Sequence, residues 1–177
     1  LLNNSNYSAI FKGSEIAIYT NGRDKFNALL DDIKNAQNYI HFQYYIFKDD
    51  KAGYEIQKTL IEKAREGVKI RVLYDDVGCW NTKNRFFEEM KKVGIKVHPF
   101  LKVVFPILTS KVNYRNHRKI VVIDGKIGYM GGMNIADRYV EGNKLGAWRD
   151  THFRITGPGV HGLQASFLLD WYAVSST

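Results

Sequence analysis

Three residues in this chain have the types and spacing for chemistry on a phosphodiester. They are His117, Lys119 and Asp124, in the pattern H-x-K-x-x-x-x-D, followed by Gly131-Gly132-Met133-Asn134. A neutral imidazole can attack phosphorus and carry a covalent phosphoryl group. A lysine ammonium neutralises charge on the non-bridging oxygens, most strongly where water is excluded. Asn134 offers an amide N–H to the same oxygens, and Gly131 and Gly132 let the backbone approach closely. No metal and no organic cofactor enters this chemistry.

The elements around these residues must position them. Lys119 to Asp124 (KIVVID) is apolar and β-branched and reads as a buried strand that stops at Asp124-Gly125. Lys126 to Met130 reads as its hairpin partner. Residues two apart on a strand share a face. If the strand already starts at His117, then His117 and Lys119 project together. Asp124 is an odd number of residues from both, so it points elsewhere or sits in the turn, where it supports the motif.

Upstream, Glu15 to Thr20 alternates as a strand, and Asn21-Gly22 is a turn. Asp24 to Ala36 carries Phe26, Leu29, Leu30 and Ile33 at helical spacing. Tyr39 to Phe47 (YIHFQYYIF) reads as a long strand. One face holds Ile40, Phe42, Tyr44 and Ile46. The other holds Tyr39, His41, Gln43, Tyr45 and Phe47. That polar and aromatic mixture leaves two readings for His41 and Gln43: they point into the pocket, or His41 is a hydrogen-bonded core histidine.

Tyr54 to Glu66 is a helix that stops at Gly67, Val68 to Tyr74 a strand, Asn84 to Val93 a helix, and Ile95 to Pro99 a strand. Asp75-Asp76 after the third strand suits a turn and helix-capping role better than a metal pair, because no third ligand is spaced nearby. Thr151 to Thr156 is a further strand and Val160 to Ala173 a last helix. Strands alternating with helices predict an α/β domain: a mixed, mostly parallel β-sheet flanked by helices on both faces. Residues 1–11 are expected to be a flexible lead-in, and 12–177 a single domain.

The 177 residues carry a formal net charge of +8, which suits a polyanionic partner, either nucleic acid or an anionic membrane. Cys79 is the only cysteine, so no intrachain disulfide forms. No run is long and apolar enough to span a bilayer, and no stretch of these residues is expected to be a signal peptide. Phe100 to Leu108 (FLKVVFPIL) is apolar and runs into the basic, acid-free stretch Thr109 to Lys119. This pairing fits either a lipid-interface element or a core strand followed by a basic loop.

The stretch NHRKIVVIDGKIGYMGGMNIADRY resembles the phospholipase D superfamily, whose signature is HxKxxxxD followed by GGxN or GSxN. With Trp148-Arg149-Asp150-Thr151-His152 downstream, the chain is most similar to the N-terminal catalytic half of bacterial cardiolipin synthases, from about residue 12 onward. The resemblance implies the superfamily's α-β-α sandwich. It also implies a phosphatidyl transfer between two phosphatidylglycerol molecules that releases glycerol through a phosphohistidine. In the family an acidic residue downstream of the GGxN element orients the catalytic histidine, and Asp150 stands at the matching place. A histidine also matches at His41. The implied partners are anionic phospholipid and a membrane surface. The implied location is the bacterial cell membrane, reached through helices outside this piece, which is itself expected to be soluble.

Superfamily enzymes use two such motifs. The residues two positions after His41, His98, His152 and His161 are Gln43, Phe100, Arg154 and Leu163, none of them lysine. The chain therefore supplies half an active site. The other half is a second HxKxxxxD element in a longer chain or a homodimer partner. In the dimeric alternative the protein is a phosphodiesterase or endonuclease, with nucleic acid as partner.

Overall fold

A computed structural model of the chain describes residues 11–100, 116–142, 144, 146 and 148–175. Strand β1 (Glu15–Tyr19) leads to Asn21, whose side chain accepts the Arg23 amide and caps α1 (Gly22–Lys34). Then follow β2 (Tyr39–Tyr44), α2 (Lys51–Arg65), β3 (Lys69–Asp75), α3 (Asn84–Lys92) and β4 (Lys96–Phe100). The second half holds β5 (Ile120–Ile123), β6 (Ile127–Gly131), the single turn α4 (Asp137–Val140), β7 (His152–Thr156) and α5 (Val160–Ser175). Asp50 caps α2 by accepting the Gly53 amide at 3.1 Å, and Gly67 ends it with φ +96°, where a glycine is favoured.

The strands form one sheet in the order β1-β7-β6-β5-β2-β3-β4. The expected share of parallel pairing is corrected here. β2, β3 and β4 pair in parallel through helical crossovers. The other ladders, β1 with β7, β7 with β6, β6 with β5 and β5 with β2, are antiparallel. Most strands still run the same way, but β5 and β7 run against them and lie between them. The cause is local: Asp124 and Gly125 both have positive φ, which closes β5 to β6 as a tight hairpin.

Alternation along the strands divides the core in two. Ile40, Phe42 and Tyr44 of β2 and Val121 and Ile123 of β5 face α1, α2 and α3, and meet Leu29, Ile33, Ile56, Leu60 and Met90. Leu73, Ile120 and Val122 face the other way, onto Leu163, Phe167 and Trp171 of α5. Each such buried aliphatic or aromatic side chain contributes roughly 1.5–3 kcal/mol, so both helical layers are firmly seated on the sheet.

β2 stops at Tyr44, earlier than expected, and its alternation ends there. Phe47 does not share the side of His41 and Gln43. It packs on Phe42 at 5.2 Å and edge-on against Phe86 at 4.9 Å. The reason is a local clamp: Lys48 N donates to Ile135 O, and Ile135 N donates to Ile46 O. This bridge replaces the strand ladder, so the two-residue period no longer applies. The lead-in before Phe11 and nearly all of the apolar and basic segment of residues 100–119 lie outside the described residues, apart from Phe100 and residues 116–119.

Candidate active site

The segment Asn116–Lys119 precedes β5 and is not itself strand. Its zigzag is imposed from outside by two carboxylates. Asp170 of α5 accepts Asn116 Nδ2 at 2.6 Å and Arg118 Nη1 at 2.6 and 2.7 Å. Asp75, at the end of β3, accepts the Asn116 amide at 3.3 Å while its other oxygen takes the amides of Val77 and Gly78. With residues 116 and 118 held towards α5, His117 and Lys119 turn the other way together.

They meet there. Lys119 Nζ lies 3.0 Å from His117 Nδ1 and 3.1 Å from Nε2, and donates to His117 O at 2.7 Å. The Tyr45 ring closes the group, 4.5 Å from the His117 ring and 5.3 Å from Lys119 Nζ. His117 is exposed, whereas Lys119 is only 2% exposed. Desolvation lowers the imidazole below its usual pKa and Lys119 lowers it further, while Asp75 and Asp150 act in the opposite direction. Burial brings the Lys119 ammonium down to about 8, with Asp150 opposing. At neutral pH the site thus holds a neutral, accessible imidazole beside a charged lysine, the state in which a histidine is a nucleophile. A cleft of about 350 Å³ lies alongside the segment on its α5 side, touching both residues and lined also by Arg118, Ile120, Leu163 and Ser166.

The two glycines make room for side chains. A Cβ on Gly132 would stand 2.1–2.4 Å from the Asp150 carboxylate, and one on Gly131 would stand 2.7 Å from His152 Nδ1. Asp150 is close enough for its charge to act on both His117 and Lys119, and its Oδ1 accepts the Thr151 amide at 2.7 Å. Among the described contacts it makes no hydrogen bond to the His117 ring. Asn134 is 4% exposed; its Oδ1 accepts Ile46 N at 3.0 Å and its Nδ2 donates to Tyr139 Oη at 2.9 Å. It therefore clamps the backbone beside Tyr45 and keeps one amide hydrogen for another acceptor.

The remaining expected site residues stand away from this cluster. Asp124 occupies the β5–β6 turn, at the opposite end of β5 from Lys119, and accepts the amides of Gln37, Asn38 and Tyr39 at 2.7–2.9 Å. Burial raises its carboxyl, but these donors and Lys126 more than offset that and hold it below the usual value. His41 lies under α5, stacked on Phe167 at 4.5 Å, with Nδ1 2.9 Å from Gln164 Nε2. Of its two readings, the geometry is that of a hydrogen-bonded core histidine. Gln43 donates to Asp170 at 2.7 Å, so it buttresses the Asn116–Lys119 segment from behind.

Asp170, Tyr45 and His152 were given no site role by sequence reasoning; Asp75, read there as a turn and capping residue, does take the Val77 and Gly78 amides, and its hold on the Asn116 amide is what was missed. An aspartate inside the apolar run FLLDWY of the last helix is the one signal that was available for Asp170. Among the described residues no group of three His, Cys, Asp or Glu side chains is placed to hold a metal ion, and no helix is long and apolar enough to cross a membrane.

The family model for the cardiolipin synthase phospholipase D-like domain matches residues 29–147. The chain belongs to this phospholipase D-like family. The matched range contains His117, Lys119, Asp124 and Asn134, while Asp150 and His152 lie just beyond it. Among curated relatives, the chain is 44% identical over 172 residues to the major cardiolipin synthase ClsA of Bacillus subtilis, covering 97% of this chain and 36% of the relative. It is 49% identical over 160 residues to cardiolipin synthase 2 of Bacillus cereus, covering 90% of this chain and 31% of that protein. The chain thus spans about a third of the length of the curated relatives it matches.

Solved structures show the same phospholipase D-like fold at much lower identity. NucT from Helicobacter pylori superposes with a TM-score of 0.72 at 18% identity, over 92% of this chain and 98% of that one. Nuc from Salmonella typhimurium, a phospholipase D family member, gives 0.66 at 17% identity, over 92% and 95%.

Proposed function

We propose that this chain is the N-terminal catalytic half of a bacterial cardiolipin synthase. Its substrate is phosphatidylglycerol, and its products, together with a second half, are cardiolipin and glycerol. The observation that carries the reading is the Lys119 ammonium 3.0 Å from an exposed, neutral His117 ring. In the first step an imidazole nitrogen forms a bond to phosphorus, the phosphorus–oxygen bond to glycerol breaks, and a histidine of the other half gives the leaving alkoxide its proton. In the second step the hydroxyl of another phosphatidylglycerol loses its proton to that histidine, attacks phosphorus and releases His117. The two histidines can exchange these roles. Lys119 holds the non-bridging oxygens throughout, helped by the remaining amide hydrogen of Asn134. Asp150 orients the pair through its charge and keeps Lys119 cationic, and Asp124 braces the far end of the hairpin.

The second half is another HxKxxxxD element, and the site works at an anionic membrane surface, where a chain of net charge +8 concentrates. The test is product analysis with phosphatidylglycerol. His117→Ala in the two-motif enzyme abolishes cardiolipin formation, and retained formation overturns the assignment.

A second reading keeps the chemistry and changes the acceptor to water: a homodimeric phosphodiesterase acting on nucleic acid. The near-complete superposition on the whole NucT chain favours it. Light scattering separates the two, because the dimeric reading requires this chain to pair in solution.

A further inference from the structure

Lys25, Tyr44 and His152 form a buried polar cluster that no step above uses. Lys25 comes from the first turn of α1, is 2% exposed, and donates from Nζ to Tyr44 Oη at 2.8 Å, with the ring centroid 4.9 Å away. Among the described residues no carboxylate pairs with it. Asp32, two turns further along α1, is taken by Arg154 at 2.7 and 3.1 Å and by Tyr129. His152 is fully buried, and among the described residues neither ring nitrogen has a hydrogen-bond partner.

The sheet register places these groups behind the catalytic lysine. Gly131 pairs with His152, and His152 with Tyr19. Ile120 pairs with Met130 on one side and Gln43 on the other, which sets Lys119 between Gly131 and Tyr44. Lys119 and His152 therefore flank a residue with no side chain, on the face covered by α1, and Lys25 descends onto that row. An unpaired lysine and an unsatisfied histidine are unfavourable in an interior. Groups of this kind concentrate where they act on a site.

We propose that Lys25 is a reserve cation of the phosphate site, a positioning residue that acts through Tyr44 and His152 behind Lys119. It takes up a proton from solvent when a phosphate anion docks against His117 and Lys119. This rests on the reading of His117 and Lys119 as the phosphate site. Burial brings the Lys25 ammonium down to about 7, so at pH 8 the empty protein holds it mostly neutral. Burial, Lys25 and Lys119 keep His152 down at about 2, so it remains a neutral ring between two lysines. A docked anion adds negative charge beside Lys119 and favours a second positive charge behind it.

The groups facing Lys25 are few. Tyr44 faces it from β2 and His152 from β7, with Tyr19 next to His152 in β1. Lys119 stands before β5, with Asp150 beyond it. On the helices packed against α1, Lys51 pairs with Glu141 at 3.0 Å, and Asp137 takes the amides of Lys51 and Ala52.

The test uses this chain with isotope-labelled lysine side chains, titrated by NMR with and without inorganic phosphate. Lys25→Met removes one resonance and so assigns Lys25; Lys119→Arg assigns Lys119. If Lys25→Met does not fold, Lys25→Arg makes the same assignment. The expected result is a Lys25 midpoint near pH 7 in the free protein that rises by about one unit at saturating phosphate. Linkage then makes phosphate binding to the wild type about tenfold weaker once pH exceeds both midpoints, a step that Lys25→Met removes. If phosphate moves Lys119 and leaves Lys25 unmoved, the reserve cation is overturned and the phosphate site stands. If it moves neither lysine, both fall.

Discussion

One carboxylate oxygen of Asp170 lies 2.6 Å from Asn116 Nδ2, and the same side chain grips Arg118 two residues on. Through this contact the last helix decides which way His117 points. Alternate residues of a short extended segment are tied to α5, and the two between them thereby project together on the opposite side, beside Tyr45.

Replacing Asp170 with Ala leaves the buried amides of Asn116 and Gln43 without their acceptor. Two such donors cost roughly 2–6 kcal/mol together. The ion pair adds little, because the Arg118 side chain is 56% exposed. The expected outcome is a lower melting temperature and a transfer rate that falls further than His117 accessibility alone explains. An unchanged rate in a folded Asp170→Ala enzyme would show that the segment holds its shape without α5.

Gly132→Ala and Gly131→Ala should fail differently. The nearest atoms to a new methyl at 132 are those of the Asp150 carboxylate, the end of a side chain that can swing aside. That variant keeps its fold and loses the negative charge beside His117 and Lys119, so activity drops while the circular dichroism and melting point stay near wild type. The methyl at 131 meets backbone atoms of Thr151 and His152 at 2.5 Å. Overpacking of this kind costs roughly 1–3 kcal/mol, and it appears as an earlier melt.

The pH dependence of transfer follows from the same pair. With His117 as the proposed nucleophile, its ring must be neutral to attack, and its pKa is lowered, so the acid limb of kcat/KM is expected below the ordinary imidazole value of 6.5. Lys119 must be charged to hold the phosphate, and its ammonium titrates at about 8, so rate is lost as pH rises through that value. Lys119→Arg keeps its charge far above pH 8. It should lower the rate and also move the alkaline limb upward. A limb that stays in place in this variant belongs to another group.

Asp124 gives a stability signature instead. Its folded pKa is depressed, so its contribution is fully present above the unfolded aspartate value and is lost as pH falls through the folded one. Asp124→Asn should lower the melting temperature at pH 7 and converge on wild type in strong acid. Asp124→Ala should be worse at every pH, since it also places a Cβ-bearing apolar residue at φ +54°. Equal losses at pH 3 and pH 7 for Asp124→Asn would remove the carboxylate from the account.

The parts legible in sequence were those settled within a few neighbours. The apolar run from Lys119 and the Asp124-Gly125 turn announced the hairpin, and helical spacing announced α1, α2 and α3. What escaped depends on residues far apart in the chain. His41 and Gln43 look alike on paper, one apolar-flanked polar residue after another. Only the arrival of Gln164, Phe167 and Asp170 from α5 shows that both are propped from that side. Phe47 was placed by an alternation that the clamp from Ile135 ends before reaching it. Asn134 has the right chemistry for a phosphate ligand, yet its amide is largely engaged by Ile46 and Tyr139. A carboxylate such as Asp75, used on backbone amides, carries no local mark that separates it from an ordinary turn aspartate.

The strand order also has a consequence for time. Among the described residues β1 is the first strand, and it pairs only with β7, the last. The row Tyr19, His152, Gly131 and Lys119 therefore runs through both ends of the fold, while β2, β3 and β4 close on their near neighbours. Joining the most distant segments carries the largest loop-closure cost and comes late. A chain still emerging from the ribosome already has its histidine and lysine, but not the wall behind them. The reactive pair is assembled only when synthesis of the domain is almost finished.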